Sequence, residues 1–264
     1  MPTDEEAEIA GGESPEPTPS VDPPATGSEE PPVAQELGRV ERPPADRFQG
    51  KRRLLLVPLM MAPPPDLTEK DSEPQAIYDR YWDQVRIQVD ALASAMGGLH
   101  RIYHESVMEG GEAGMAYLEM ADPNASALAR VRFLAGATLE ATEDINLISE
   151  SLDLQRCLML PLTNEEVATR LQQWLAESTR SRYDYIASQI DQTLQPDETG
   201  LLLIGERHQV QFPADIEVFY VAPPALDEYR RWLQNWAAAQ QRAAEAGMET
   251  EWASDGEDSS DQLI

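Results

Sequence analysis

Residues 182–221 read RYDYIASQIDQTLQPDETGLLLIGERHQVQFPADIEVFYV. This pattern predicts the end of a helix, a tight turn, a buried strand, a loop with a histidine, and a second strand. The four consecutive apolar residues 201–204 are typical of a strand that is covered on both faces. Strands of this kind occur in the parallel sheets of α/β proteins, so this class is the starting point.

The loop after the apolar run carries polar residues where α/β sheets place their ligands. Gly205 breaks the run, and Glu206, Arg207 and His208 follow it. In open α/β sheets, ligands bind beyond the carboxyl ends of the strands. His208 is therefore the leading candidate for a functional residue, and the alternative is a structural histidine that only makes hydrogen bonds.

Outward from this stretch, strand patterns alternate with helix patterns. Two further strands are predicted within 54–61 and 99–106. The first run has the length and β-branching of a central or near-edge strand, whereas Pro58 favours an edge position or a bulge for it. Apolar residues at spacings of three and four between the strands predict amphipathic helices. The predicted fold class is α/β, a layered sandwich with a mostly parallel sheet of about four strands flanked by helices.

The helical patterns also predict which side chains are buried. A helix that begins after Asn164 is expected to turn Val167, Leu171, Trp174 and Leu175 inward, and a separate helix is expected over 182–194. The last helix is expected to reach about residue 247. Cys157 stands alone, which excludes an intramolecular disulfide and a cysteine-based zinc site, and it is predicted to be a small core residue.

The two ends of the chain differ in composition from its middle. Residues 1–49 hold ten of the 21 prolines and 12 acidic residues against three arginines. Such a segment has too little apolar surface to offset the entropy lost on ordering. We predict a disordered acidic, proline-rich tail over 1–49, a single α/β domain over 50–236, and a helix end with an acidic disordered tail over 237–264.

The formal net charge of −28 limits the class of partner. So acidic a chain repels phosphate backbones, and it has no basic stripe, so nucleic acid is excluded as a partner. No window approaches the ~18 apolar residues of a membrane span, and the acidic start lacks the apolar core of a signal peptide. The predictions are a cytoplasmic location, no membrane partner, and a small-molecule or protein partner whose identity stays open.

Histidines and acids supply the remaining candidates for chemistry. Glu140, Glu143 and Asp144 cluster between two helical patterns, either as a base or ligand set or as an ordinary acidic helix N-terminus. His104 lies in a strand pattern, and the acids around it allow a divalent metal. Ser106 does not form a triad with His104 and Glu105 on this pattern, since neighbours on a strand face opposite ways.

The segment from 182 to 210 resembles the R-[ND]-x-x-[IM]-A…G-x-x-H segment of TraB/GumN-like proteins, which are related to EreA and ChaN and include metal-dependent hydrolases. The resemblance implies that Arg182, Asp184, Gly205 and His208 occupy the motif positions. With the acids above, the predicted catalytic residues are His208, Arg182 and Glu143. The predicted binding residues are Asp184, Gly205, Glu206, Glu140 and Asp144, and the predicted metal ligands are His104 and His208.

The chain also resembles an uncharacterised bacterial family whose pattern runs from an IYHE-like strand through GA-x-L-E-x-TED to IG-x-x-H. The matching pieces here are RIYHES, GATLEATED and LLLIGERHQV, which span roughly 99–221. The hydrolase group carries a glycine–histidine segment after its first strand, whereas this chain has LLLVPLMMAPPP there. Two functions are therefore expected: a hydrolase-like protein with a site around His208, or a non-catalytic regulatory or protein-interaction module on the same fold.

Overall fold

The computed structural model describes residues 50–67 and 72–258, and within them strands and helices alternate. The elements are β1 Arg52–Leu59, α1 Glu73–Ala95, β2 Arg101–His104, α2 Gly111–Ala121, α3 Pro123–Leu134, β3 Thr138–Leu139, α4 Ile145–Leu158, α5 Glu165–Thr193, β4 Thr199–Gly205, β5 Ile216–Tyr220 and α6 Pro224–Asp258. The predicted tail over 1–49 and the last residues, 259–264, lie outside the described part.

The strands form one parallel sheet in the order β3-β2-β4-β1-β5. This confirms the α/β class and the parallel sheet. The sheet has five strands where about four were predicted, because the two-residue strand β3 pairs with β2 through Arg101 opposite Thr138 and Ile102 opposite Leu139. Two residues are too few to show the alternation by which a strand is recognised in a sequence.

Helices cover both faces of the sheet and enclose two apolar clusters. The first face, called the α1 face, packs Leu55, Val57, Ile102, Leu201 and Leu203 against residues of α1, α2, α3 and α6. The opposite face, called the α5 face, packs Leu54, Leu56, Tyr103, Leu202 and Ile204 against Ile186, Ile190 and Leu194 of the α5 segment. The alternation of neighbouring residues between the two clusters is the period-two geometry of buried strands.

The position predicted for β1 from Pro58 was wrong. β1 lies inside the sheet, between β4 and β5, and Pro58 itself pairs with Ile204 of β4. The last residue pair with β5 is Leu56 with Tyr220. Pro58 therefore lies beyond the part of β1 that β5 pairs with, where its missing N–H interrupts no ladder on that side.

The burial predicted for the α4–α5 region is also corrected. Residues 165–193 form one continuous helix, and α4 packs on this helix. Only Ser178, Ile186 and Ile190 of α5 are buried, while Val167 and Trp174 are exposed, and so is Cys157 at the end of α4. The periodic apolar residues in the first half of α5 thus face a thin two-helix layer, which leaves part of them in contact with water.

The last helix is longer than predicted, since α6 continues to Asp258. Gly247, at which the helix was predicted to end, lies inside α6, and no proline follows it to interrupt the helix. Among the helices in the described ranges, none is both long and apolar enough to cross a membrane.

Gly114 allows α2 to approach the end of β3. A Cβ atom at this position would lie 2.0 Å from the carbonyl oxygen of Glu109 and 3.1 Å from Cδ2 of Leu139. We expect Gly114→Ala to lower the free energy of unfolding by about 2–3 kcal/mol through overpacking, as measured by urea denaturation. The exposed Ala116→Ser in the same helix is the control, with an expected loss of about 0.5 kcal/mol. Equal losses in the two variants would contradict this explanation.

Candidate active site

The connections that leave β2 and β4 go to opposite faces of the sheet. The chain after β2 enters α2 on the α1 face, whereas the loop after β4 packs Val210 and Phe212 on the α5 face. Because β2 and β4 are neighbours, their carboxyl ends border a crevice between the two connections. This is the topological switch point at which open α/β sheets bind their ligands.

Arg182 of α5 reaches this crevice from the α5 face. Its Nε donates a hydrogen bond to Oε1 of Glu143 at 2.7 Å, and its Nη2 also contacts that oxygen. Nη2 donates a second bond, of 2.9 Å, to the carbonyl oxygen of Glu105 and lies 3.8 Å from Oε2 of the same residue. The structure thus brings together Arg182 and Glu143, which we predicted as catalytic residues.

The carboxyl group of Glu143 is buried, with the residue 2 % exposed. Burial raises the pKa of Glu143 to about 7, although the Arg182 guanidinium acts to lower it. One oxygen, Oε2, is buried without a hydrogen-bond partner among the described residues. The buried carboxyl group of Glu143 therefore fixes the position of the Arg182 guanidinium. This carboxyl group is close to half ionised at neutral pH.

Glu105 and Tyr183 belong to the site and were not predicted. The Glu105 carboxylate lies over Gly205, where a Cβ atom would be 3.3 Å from Oε1. The Tyr183 ring centroid is 5.9 Å from Cζ of Arg182. Glu105 follows His104 directly, so the alternation of side chains along a strand was the signal that it points to the other face. Tyr183 carried no signal beyond being next to Arg182.

His208 lies beside this group on the α5 face. It lines a cleft of about 480 Å³ together with Arg180, Tyr183, Asp184 and Gln209. Burial lowers the pKa of His208 below its ordinary value, while the Glu105 carboxylate opposes this shift. Its Nδ1 is buried and has no hydrogen-bond partner in the described part of the chain. Asp184, a predicted binding residue, is exposed in the wall of the same cleft.

The predicted pairing of His104 with His208 as metal ligands is corrected. Ile102 and Tyr103 belong to opposite clusters, so His104 points to the α1 face, where its Nε2 lies 3.9 Å from Oδ2 of Asp122. The sheet therefore separates the two imidazoles. No group of three or more His, Cys, Asp or Glu side chains in the described ranges is arranged to hold a metal ion.

Three predicted binding residues have structural partners away from the cleft. Glu140 pairs with Arg101 of β2. Asp144 is the N-cap of α4 and accepts hydrogen bonds from the backbone N–H groups of Asn146 and Leu147 at 2.8 and 3.2 Å. Glu206 pairs with Arg230 of α6. Glu140 thus forms an ion pair with a structural role. Asp144 caps the start of α4, so the alternative of an ordinary helix N-terminus holds for Asp144.

The fold and the crevice place the chain in the class of open, parallel α/β proteins with a polar cluster at the switch point of the sheet. In comparisons with known proteins, no family model, no curated protein and no solved structure matches this chain.

Proposed function

We propose that this protein is a hydrolase-like enzyme whose site lies around His208 at the carboxyl ends of β2 and β4. The observation that carries the proposal is the position of His208, which lines one cleft with Tyr183 and whose Nδ1 has no hydrogen-bond partner among the described residues. Tyr183 lies against the Arg182 guanidinium, which in turn contacts Glu105. Segments that are far apart in the sequence supply these groups. Ion pairs with a purely structural role would not require a cleft at the same place.

His208 is suited to accept a proton in this site. Its lowered pKa keeps the ring neutral at pH 7, and Nδ1 makes no hydrogen bond within the described residues. A neutral imidazole with a free ring nitrogen is the usual general base of enzymes near neutral pH. The nearby Glu105 carboxylate would stabilise the imidazolium that forms when the proton is taken up.

Arg182 is suited to hold an anionic group or a developing negative charge. Nε and Nη2 are engaged by Glu143 and Glu105, which fixes the plane of the guanidinium. A preorganised donor of this kind stabilises charge in a transition state without further reorganisation. The cleft volume of about 480 Å³ falls in the range of small-molecule sites. The proposed substrate is therefore a small molecule with a hydrolysable, anionic or carbonyl group.

The experiment that tests this function is a hydrolysis panel of esters, amides and phosphate esters with the full chain, run with and without EDTA. We expect turnover of at least one class, and equal rates with EDTA if the side chains alone carry the reaction. Turnover that is lost with EDTA and restored by a divalent ion would instead favour the metal-dependent chemistry that the TraB/GumN resemblance implies. No turnover across the panel would contradict the proposal.

The pH dependence of the reaction provides a sharper check. The neutral form of His208 predominates above its pKa, which lies below 6.5, while Glu143 titrates near 7. We expect kcat/KM of the Glu143→Gln variant, which lacks the second titration, to show a single acid limb whose midpoint lies below pH 6.5. Burial raises the pKa of the neighbouring Tyr183 above its ordinary value of 10, so Tyr183 stays neutral in this interval. A midpoint above pH 6.5 in this variant would argue against His208 as the base.

A second candidate function is a non-catalytic interaction module, which is supported by the exposed apolar side chains of the α4–α5 region. Met159 and Leu160 are exposed at the junction of the two helices, and Trp174 is exposed on α5.

Membership of the TraB/GumN-like group and a cytoplasmic location are two further proposals. The first is supported by His208 in the cleft and by Arg182 against Tyr183 of the same cleft, and the second by the acidic composition.

A further inference from the structure

A serine, a histidine and an aspartate meet on the α1 face, in a cluster that the His208 site does not use. Strand alternation would place Ser106 on the same side as His104 but about two residues further along. Instead the chain turns after His104, and the N–H of Val107 donates to the His104 carbonyl at 3.0 Å. This turn folds Ser106 back, so that its Oγ lies 3.0 Å from Nδ1 of His104.

The hydrogen bonds determine the tautomer of His104. The backbone N–H of Ser106 points at Nδ1 over 3.2 Å, so this nitrogen is an acceptor and the ring proton of the neutral form is on Nε2. The Ser106 hydroxyl is then the donor in its contact with Nδ1. His104 is 3 % exposed, which fixes the orientation of the ring, while Ser106 is half-buried and open to small reagents.

Asp122 lies on the other side of the imidazole. Its Oδ2 is 3.9 Å from Nε2, and its Oδ1 accepts the N–H of Ala125 at 2.9 Å as the N-cap of α3. Burial acts to raise the pKa of Asp122, but the interactions with His104 and with backbone N–H groups outweigh it and hold the pKa below its ordinary value. Nε2 of His104 has no hydrogen-bond partner among the described residues, so the Asp122 carboxylate faces its N–H at 3.9 Å, beyond hydrogen-bond distance. The carboxylate is on the side of the imidazole opposite Ser106, the side that the acid occupies in catalytic triads.

We propose that Ser106 is a nucleophile activated by His104, with Asp122 as the group that stabilises the imidazolium, and that it reacts with activated esters and phosphonyl compounds. The serine Oγ attacks the carbonyl carbon while its proton moves to Nδ1 of His104. The ester C–O bond breaks, and the alcohol leaves with the proton from Nδ1. Water then attacks the acyl group, gives a proton to Nδ1 and releases the acid, and the proton returns to Oγ.

The experiment uses an alkyl fluorophosphonate as the probe on the full chain, with intact mass and peptide mapping. The reaction forms an Oγ–P bond, breaks the P–F bond and releases fluoride and a proton. We expect one adduct per chain, located on Ser106, and no adduct in Ser106→Ala. Ser188 is exposed, and its Oγ accepts a hydrogen bond from Nε2 of Gln192 on its own helix, so Ser188→Ala is the control that should label at the rate of the wild type.

Two further variants separate nucleophilic activation from a structural role. In His104→Asn the amide oxygen can still accept the Ser106 N–H and preserve the turn, but it is no base, so labelling should slow at least 100-fold. Asp122→Asn keeps a good N-cap for α3 and should slow labelling about tenfold. Absence of an adduct, an adduct on another residue, or unchanged rates in both variants would overturn the proposal. None of these results depends on His208, so the proposed function stands or falls separately.

Discussion

Replacing Arg182 by alanine is expected to lower the free energy of unfolding by about 3–5 kcal/mol at pH 9, which is the usual cost of leaving a buried charge without its partner. The carboxylate left behind is that of Glu143, whose residue is 2 % exposed. The expected effect is this large because Oε2 of Glu143 already has no hydrogen-bond partner in the described residues. Loss of Arg182 would remove both side-chain contacts to the other oxygen.

The loss should depend on pH in a defined direction. The pKa of Glu143 in the folded protein, about 7, is higher than its unfolded value of 4.5. The folded state therefore binds the proton of the Glu143 carboxyl group more tightly than the unfolded state does. The contribution of Glu143 to the free energy of unfolding falls as the pH rises from 4.5 to 7. Without Arg182 the folded pKa rises further, since the guanidinium acts to lower it. The destabilisation relative to the wild type should therefore grow above pH 7 and be smaller at pH 6.

Urea denaturation at pH 6 and pH 9 measures this prediction. The exposed neighbour Arg180→Ala is the matched control and should change the free energy of unfolding by no more than about 0.5 kcal/mol at either pH. In the background of Glu143→Gln no carboxylate remains to be stranded, so Arg182→Ala should cost clearly less and its cost should not grow above pH 7. A loss that is independent of pH in both backgrounds would show that Arg182 stabilises the fold by packing alone.

The second large effect is expected at His208. For the substrate class that the hydrolysis panel identifies, His208→Asn should lower kcat/KM by 10² to 10⁴, the usual contribution of a general base. The variant should fold normally, because the side chain makes no hydrogen bond through its buried Nδ1 among the described residues. Asparagine is smaller and polar. The main interaction lost in the variant is the ring contact with Phe212, whose centroid lies 6.2 Å from that of His208.

The matched control is the same substitution at the other partly buried histidine, His100. There Nδ1 accepts the backbone N–H of Thr199 at 3.1 Å, a role that an asparagine oxygen can take over. His100→Asn should therefore leave both kcat/KM and the thermal midpoint close to those of the wild type. If His208→Asn unfolds the protein, or if it retains full activity, His208 is a structural residue and the proposed site is wrong.

Local patterns in the sequence were sufficient for the fold class. The apolar run 201–204 forms the buried interior of β4, and the periodic residues of 74–96 form α1 with Tyr81 and Trp82 in the core. A strand that is buried on both faces and a helix with one apolar stripe each leave a repeat in the residues themselves. The position of His208 just after the buried strand was also read from the local pattern, whereas Arg182 was predicted from the resemblance to a family motif.

The composition of the site was decided by the tertiary structure. Arg182 meets Glu143 and Glu105 across 39 and 77 residues, and which carboxylates it meets depends on the strand order. The face of the sheet to which His104 points is set by its register with β4, so no spacing in the sequence could show that it is separated from His208. The turn that brings Ser106 back to His104 breaks the strand alternation from which their relation was predicted. A periodic pattern records whether a side chain is buried, whereas the identity of its partner is fixed only when distant segments pack together.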